Sequence, residues 1–69
     1  MVIQIGSLVT IYERNLNQFL NGRIGTVKYI NSKKSLASVC LIDGMIVLIN
    51  TNHLVLLHVD FERMTITAK

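Results

Sequence analysis

The sequence predicts an all-β fold: a small antiparallel barrel of five or six short strands. Short runs of β-branched and aliphatic residues recur along the 69 residues, and asparagine and glycine separate these runs. Asp43-Gly44 lies between two apolar runs, which is a strong signal for a hairpin. The polar segment 13–21 has room for only one helical turn, so we interpret it as a loop.

Each predicted strand is an apolar run that ends at a polar turn. Gly25 lies inside the second run, where glycine marks either a bulge or a close approach of two backbones. Residues 51–53 are predicted to form a turn or one turn of 3₁₀ helix. The predicted strands are 7–12, 23–30, 36–42, 45–50 and 54–59.

The domain organisation follows from the same pattern. Residues 1–60 are predicted to form a single barrel, and residues 61–69 a C-terminal tail. Phe61, Met64 and Ile66 are apolar, and residues 64–67 alternate between apolar and polar. We therefore expect the tail to add a sixth strand to its own sheet or to contact another copy of the chain.

Composition limits the ways in which so short a chain can be stabilised. Cys40 is the only cysteine, which excludes an internal disulfide and a cysteine-based zinc site, so oligomerisation remains as a means of stabilisation. The apolar runs are much shorter than the roughly 20 residues of a membrane-spanning helix. Residues 1–6 lack the features of a signal peptide. A cytoplasmic protein without membrane attachment is the expectation.

The titratable residues form no catalytic pattern. Four acids are scattered along the chain, and His53 and His58 are five residues apart, so on one strand they would face opposite sides. Phosphate-binding, dinucleotide-binding and metal-ligand motifs are absent from the sequence. We therefore expect a non-catalytic protein with no cofactor and no metal.

Several glycine-containing stretches share a spacing with a known group of small barrels. They are Gly6-x-x-Val9-x-Ile11, Leu20-Asn21-Gly22-x-x-Gly25-x-Val27 and Val39-x-Leu41-x-Asp43-Gly44. Together they resemble the KOW-type, Tudor-like domains, which are SH3-like barrels. The resemblance spans roughly residues 6–57 and implies an SH3-like barrel that contacts nucleic acid or a protein of the transcription or translation machinery.

A basic group provides the candidate binding site. Its members lie between Glu13 and Asp43 with no acid among them, and a tyrosine is interleaved that could stack on a base. One interpretation is a module that contacts nucleic acid or a nucleic-acid machine; the other is a solvated edge that keeps an apolar chain soluble. The residues are Arg23, Lys28, Tyr29, Lys33 and Lys34.

At least three predicted strands are apolar on both faces, although one small barrel has only one interior. The outer apolar set needs a cover, which is either the tail or a second copy of the chain. This pattern supports an alternative function, a homo-oligomeric adaptor or inhibitor of the viral or mobile-element type. Such a protein would bind a host protein or sequester a small anionic ligand between subunits. The predicted interface residues are Ile46, Leu48, Leu56, Phe61, Met64 and Ile66.

Overall fold

A computed structural model describes residues 3–12 and 20–68. The described residues form six antiparallel strands, which confirms the predicted all-β class, and the tail contributes the sixth strand. Among these residues, no helix is long and apolar enough to cross a bilayer. The elements are β1 (Leu8–Ile11), β2 (Ile24–Asn31), β3 (Leu36–Leu41), β4 (Ile46–Asn50), a 3₁₀ helix (Thr51–His53), β5 (Leu54–Asp60) and β6 (Thr65–Ala68).

The strands form one curled, half-barrel sheet in the order β4-β3-β2-β1-β5-β6. β5 is divided between two partners. Its first part pairs with β1 through residues 54–56, and its second part pairs with β6 through residues 57–60. Consequently β4 and β6 are the two edges of the sheet, and the β5–β6 hairpin extends beyond the last residue of β5 that pairs with β1.

The core occupies the concave face of the curled sheet. Alternate residues of β1, β2 and β3 point into it, as the period of two along a strand requires. Leu56 and Val47 are partly buried against this cluster. The buried core residues are Val9, Ile11, Val27, Ala37, Val39, Leu41, Ile49 and Leu54.

Gly25 marks a close approach of β2 to β3. A Cβ atom at this position would lie 2.6 Å from Val39 Cγ1 and 2.7 Å from the Cys40 carbonyl oxygen. Both distances are shorter than real Cβ contacts allow, so only glycine fits here. The bulge in β2 lies further along, between Val27 and Tyr29.

Of the strands predicted to be apolar on both faces, β4 shows the pattern clearly. Ile46 and Leu48 project from the convex face and are 66% and 64% exposed, whereas Ile49 is buried. Leu56, by contrast with the other predicted interface residues, packs against the core because it lies opposite Val9 in the register. The sixth strand lies at the far edge of the sheet and leaves the β4 side chains exposed. The other exposed members of the predicted interface are Phe61, Met64 and Ile66 on the β5–β6 hairpin.

Candidate nucleic-acid interface

The bulge in β2 directs two successive side chains to solvent. Val27 pairs with Val39 and is buried, whereas Tyr29 pairs with Ser38 on the convex face. Strict alternation would turn the residue after Lys28 back into the core. Because the bulge inserts one residue, Lys28 and Tyr29 are both exposed. A cation and an aromatic ring therefore stand side by side.

The turn between β2 and β3 adds two more cations. Lys33 and Lys34 are exposed in residues 32–35. The Lys34 amide donates to the Asn31 side-chain oxygen at 3.3 Å, and the Thr51 amide donates to the Ser35 carbonyl oxygen at 2.8 Å. Ser35 itself has a φ of +54°, a left-handed conformation that reverses the chain into β3. These bonds tie the turn to the body of the sheet.

These lysines have no acidic neighbour within the described ranges. Asp60 pairs with Arg63 at 3.8 Å on the β5–β6 hairpin, and no carboxylate lies within ion-pair distance of Lys28, Lys33 or Lys34 among residues 3–12 and 20–68. An exposed ammonium group without a protein counterion is available for an anionic ligand. We call Lys28, Tyr29, Lys33 and Lys34 the basic strip.

Arg23 is the predicted site residue that lies apart from the strip. It precedes β2, so a strand of about 25 Å separates it from the lysine turn. Its Nη1 atom lies 3.0 Å from Asp43 Oδ2. The Met45 amide and the Arg23 guanidinium both stabilise the Asp43 carboxylate, and they lower its pKa below 3.8. The Arg23 guanidinium is therefore already paired with a carboxylate of the same chain.

A groove lies beside the lysine turn that the sequence pattern did not reveal. Its volume is about 500 Å³, and it is open to solvent. Apolar side chains and hydroxyl or amide groups line it together, so it offers both a nonpolar contact surface and hydrogen-bonding groups. Its lining residues are Ile3, Ile30, Ser32, Ser35, Thr51, Asn52 and Leu54.

Other reactive side chains are not gathered into a centre. Within residues 3–12 and 20–68, no group of three His, Cys, Asp or Glu side chains is arranged to hold a metal ion. Cys40 is half-buried on β3, and its thiol lies 3.7 Å from the Leu41 carbonyl oxygen. The basic strip and its adjacent groove are thus the strongest candidate site.

No family model, no curated protein and no solved structure matches this chain. The resemblance to KOW-type domains therefore stays a prediction. The candidate site is argued from its own geometry and charge.

Proposed function

We propose that this protein is a non-catalytic module that binds single-stranded nucleic acid through the basic strip. The observation that carries the proposal is a set of exposed lysines on β2 and in the turn after it, beside an exposed tyrosine, with no acidic partner among residues 3–12 and 20–68. Lys28, Lys33 and Lys34 contact phosphates, and Tyr29 stacks on a base.

The groove suits a second contact with the same ligand. Ser32 and Ser35 line it and also flank the two lysines of the turn. A single-stranded nucleic acid whose phosphates contact Lys33 and Lys34 therefore has a base or sugar within reach of the groove. The apolar side chains of the groove would pack against a base, and its hydroxyl groups would donate hydrogen bonds to, or accept them from, base edges or sugars.

A single strand fits this site better than a duplex does. Tyr29 is 59% exposed on the convex face, and stacking on it requires a base that is not already stacked in a helix. The chain carries a formal charge of only +3, which gives it few contacts to the regular phosphate array of a duplex. Flexible single strands can instead follow the strip from β2 to the lysine turn.

The test is a salt titration of binding to a fluorescent single-stranded oligonucleotide. Three phosphate contacts predict a slope of about −2 in a plot of log affinity against log salt concentration. The double variant Lys33→Gln/Lys34→Gln should bind weakly, with a slope nearer −0.7. Affinity that does not change with salt, or with this double variant, would refute the proposal.

The matched control removes the same amount of charge elsewhere. Arg23 and Arg63 each pair with an aspartate within the chain. The variant Arg23→Gln/Arg63→Gln lowers the net charge by two, as the lysine variant does. It should retain most of the salt slope, because the basic strip remains intact. An equal loss in both variants would indicate nonspecific attraction to net charge.

The second candidate function is a protein-binding adaptor. Exposed apolar side chains on β4 and in the turn between β5 and β6 favour it, among them Leu48, Phe61 and Met64. Binding through such a surface responds little to salt, whereas phosphate contacts respond strongly. The salt dependence of binding therefore separates the two functions: affinity for a protein partner should change little with salt concentration, and affinity for the oligonucleotide should fall.

A further inference from the structure

The outer edge of β4 presents backbone groups that pair with no other described strand. In the part of the chain that the structure describes, β4 pairs with β3 alone. The Leu41 amide donates to the Met45 carbonyl oxygen and the Thr51 amide to the Ser35 carbonyl oxygen, both at 2.8 Å. Antiparallel ladders alternate, so the residues between these positions point their backbone groups alternately toward and away from β3. Those that point away are Ile46, Leu48 and Asn50.

Two of these residues also expose their side chains. Ile46 and Leu48 stand on the convex face with about two thirds of their surface in water. Ile49 is buried, so the position of β4 is fixed from the core side. The edge is therefore preformed, and ordering it on binding costs little conformational entropy.

The β4 edge lacks the features that normally prevent strand addition. Natural edge strands carry charged residues, proline or a bulge. The stretch from Met45 to Asn52 contains no charged residue and no proline, and the pairing of β3 with β4 runs without a register shift. Nothing in this strand opposes pairing with an identical strand.

We propose that a second copy of this chain adds to the β4 edge in antiparallel orientation, with Leu48 facing the partner's Leu48 across a twofold axis. This register pairs Ile46 with the partner's Asn50, and so it uses all three residues whose backbone groups point outward. Each such pair exchanges two hydrogen bonds, about six in all. On the convex face, the exposed leucines become buried against each other.

A second copy fits this edge better than the other possible occupants. The chain's own tail is committed to the opposite edge as β6, so it is not available to β4 of the same molecule. The uncharged edge offers no electrostatic signal for a charged partner. An isologous strand pair is self-complementary by symmetry. The interface is far smaller than the 20–30 residues a side of a standard complex, so we expect a weak, concentration-dependent dimer.

Sedimentation velocity of the protein without nucleic acid tests this inference, which does not depend on the proposed function. The wild-type protein should shift from monomer to dimer as its concentration rises. Leu48→Lys should abolish the shift, since it places a charge at the axis. The matched control is Ile66→Lys on β6, where the side chain is 54% exposed, and it should dimerise normally. A monomer at all concentrations would overturn the proposal.

Disulfide trapping tests the register. In a Cys40→Ser background, Leu48→Cys places two thiols on residues whose Cα atoms lie about 5.5 Å apart, within disulfide range. Oxidation should produce a covalent dimer that folds as the wild type does. Ile42→Cys, at an 83% exposed position in the β3–β4 turn, is the control and should remain largely uncrosslinked. Equal crosslinking of both variants, or crosslinking of the control alone, would refute the β4 pairing.

Discussion

Arg23 Nη1 lies 3.0 Å from Asp43 Oδ2 and joins the start of β2 to the turn between β3 and β4. Asp43 also accepts a hydrogen bond from the Met45 amide at 3.1 Å through its other carboxylate oxygen. One side chain therefore shapes the hairpin turn and holds an arginine at the same end of the sheet. The basic strip lies at the opposite end of β2.

The first prediction concerns acid stability. The Met45 amide and Arg23 lower the pKa of Asp43 in the folded protein below 3.8, so the folded state favours the ionised carboxylate. That contribution is fully present above the unfolded pKa and is lost as pH falls through the lowered folded pKa. Asp43→Asn should lack this loss. Urea unfolding midpoints, measured from neutral pH to well below pH 3.8, should converge for the two proteins at the acid end.

Arg23→Gln provides the control for this titration. It removes the contribution of Arg23 to the lowered pKa and keeps the carboxylate and its bond to the Met45 amide. The acid-dependent loss of stability should therefore be intermediate between those of the wild type and Asp43→Asn. Parallel curves for all three proteins across the acid range would contradict the assignment.

The second prediction concerns the contact between β2 and β3 at Gly25. Gly25→Ala brings a methyl group within 2.7 Å of the Cys40 carbonyl oxygen, which is backbone and cannot rotate away. We expect a loss of about 1–3 kcal/mol in the free energy of unfolding, as for overpacked cores. Thr26→Ala, at the next residue but on the convex face, should cost under about 1 kcal/mol. Equal stability of Gly25→Ala and the wild type would show that the strands can separate.

The third prediction concerns stacking on Tyr29. Tyr29→Ala should weaken single-strand binding by about 1–3 kcal/mol, roughly 5- to 150-fold, and Tyr29→Phe should retain most of the affinity because the ring remains. The chain has two tyrosines and no tryptophan. In a Tyr12→Phe background, tyrosine fluorescence reports Tyr29 alone and should be quenched by the oligonucleotide. Equal affinity of the Ala and Phe variants would exclude stacking.

The fourth prediction concerns the left-handed residue in the lysine turn. Ser35 has a φ of +54°, which a β-branched residue adopts at a cost of about 1–2 kcal/mol. Ser35→Val should therefore destabilise the protein by about that amount, whereas Ser35→Gly should match or exceed the wild type by up to about 1 kcal/mol. Ser32→Val lies in the same turn without a positive φ and serves as the control. The measurement is the midpoint of thermal unfolding of the three variants relative to the wild type. A lower midpoint for Ser35→Gly would contradict the expectation.

The strands could be predicted because their determinants are local. From the alternation of apolar residues and the Asp43-Gly44 turn, the bounds of five strands were predicted to within two residues of those observed. For Gly25, the sequence left a bulge and a close approach open, and the structure resolves this as a close approach. The choice depends on which residues of β3 lie opposite, and that register is not encoded next to the glycine.

The candidate site was only partly predictable for the same reason. The lysines and Tyr29 are close in sequence, so their grouping was visible. Arg23 is equally close in sequence, but an extended strand carries it to the other end of the sheet. The groove could not be foreseen, because it is assembled from separate segments around Ile3, Ile30 and Leu54.

The division of β5 between two partners has a consequence for local opening. β6 contacts β5 and is exposed along its whole length, and a two-stranded ribbon is only marginally stable by itself. Backbone amides that are hydrogen-bonded between β5 and β6 should exchange with solvent when this ribbon opens. Amides that are hydrogen-bonded between β5 and β1 should exchange much more slowly, through global unfolding. We therefore expect β5 to belong to two cooperative units, so that the β5–β6 ribbon can open while the core stays folded.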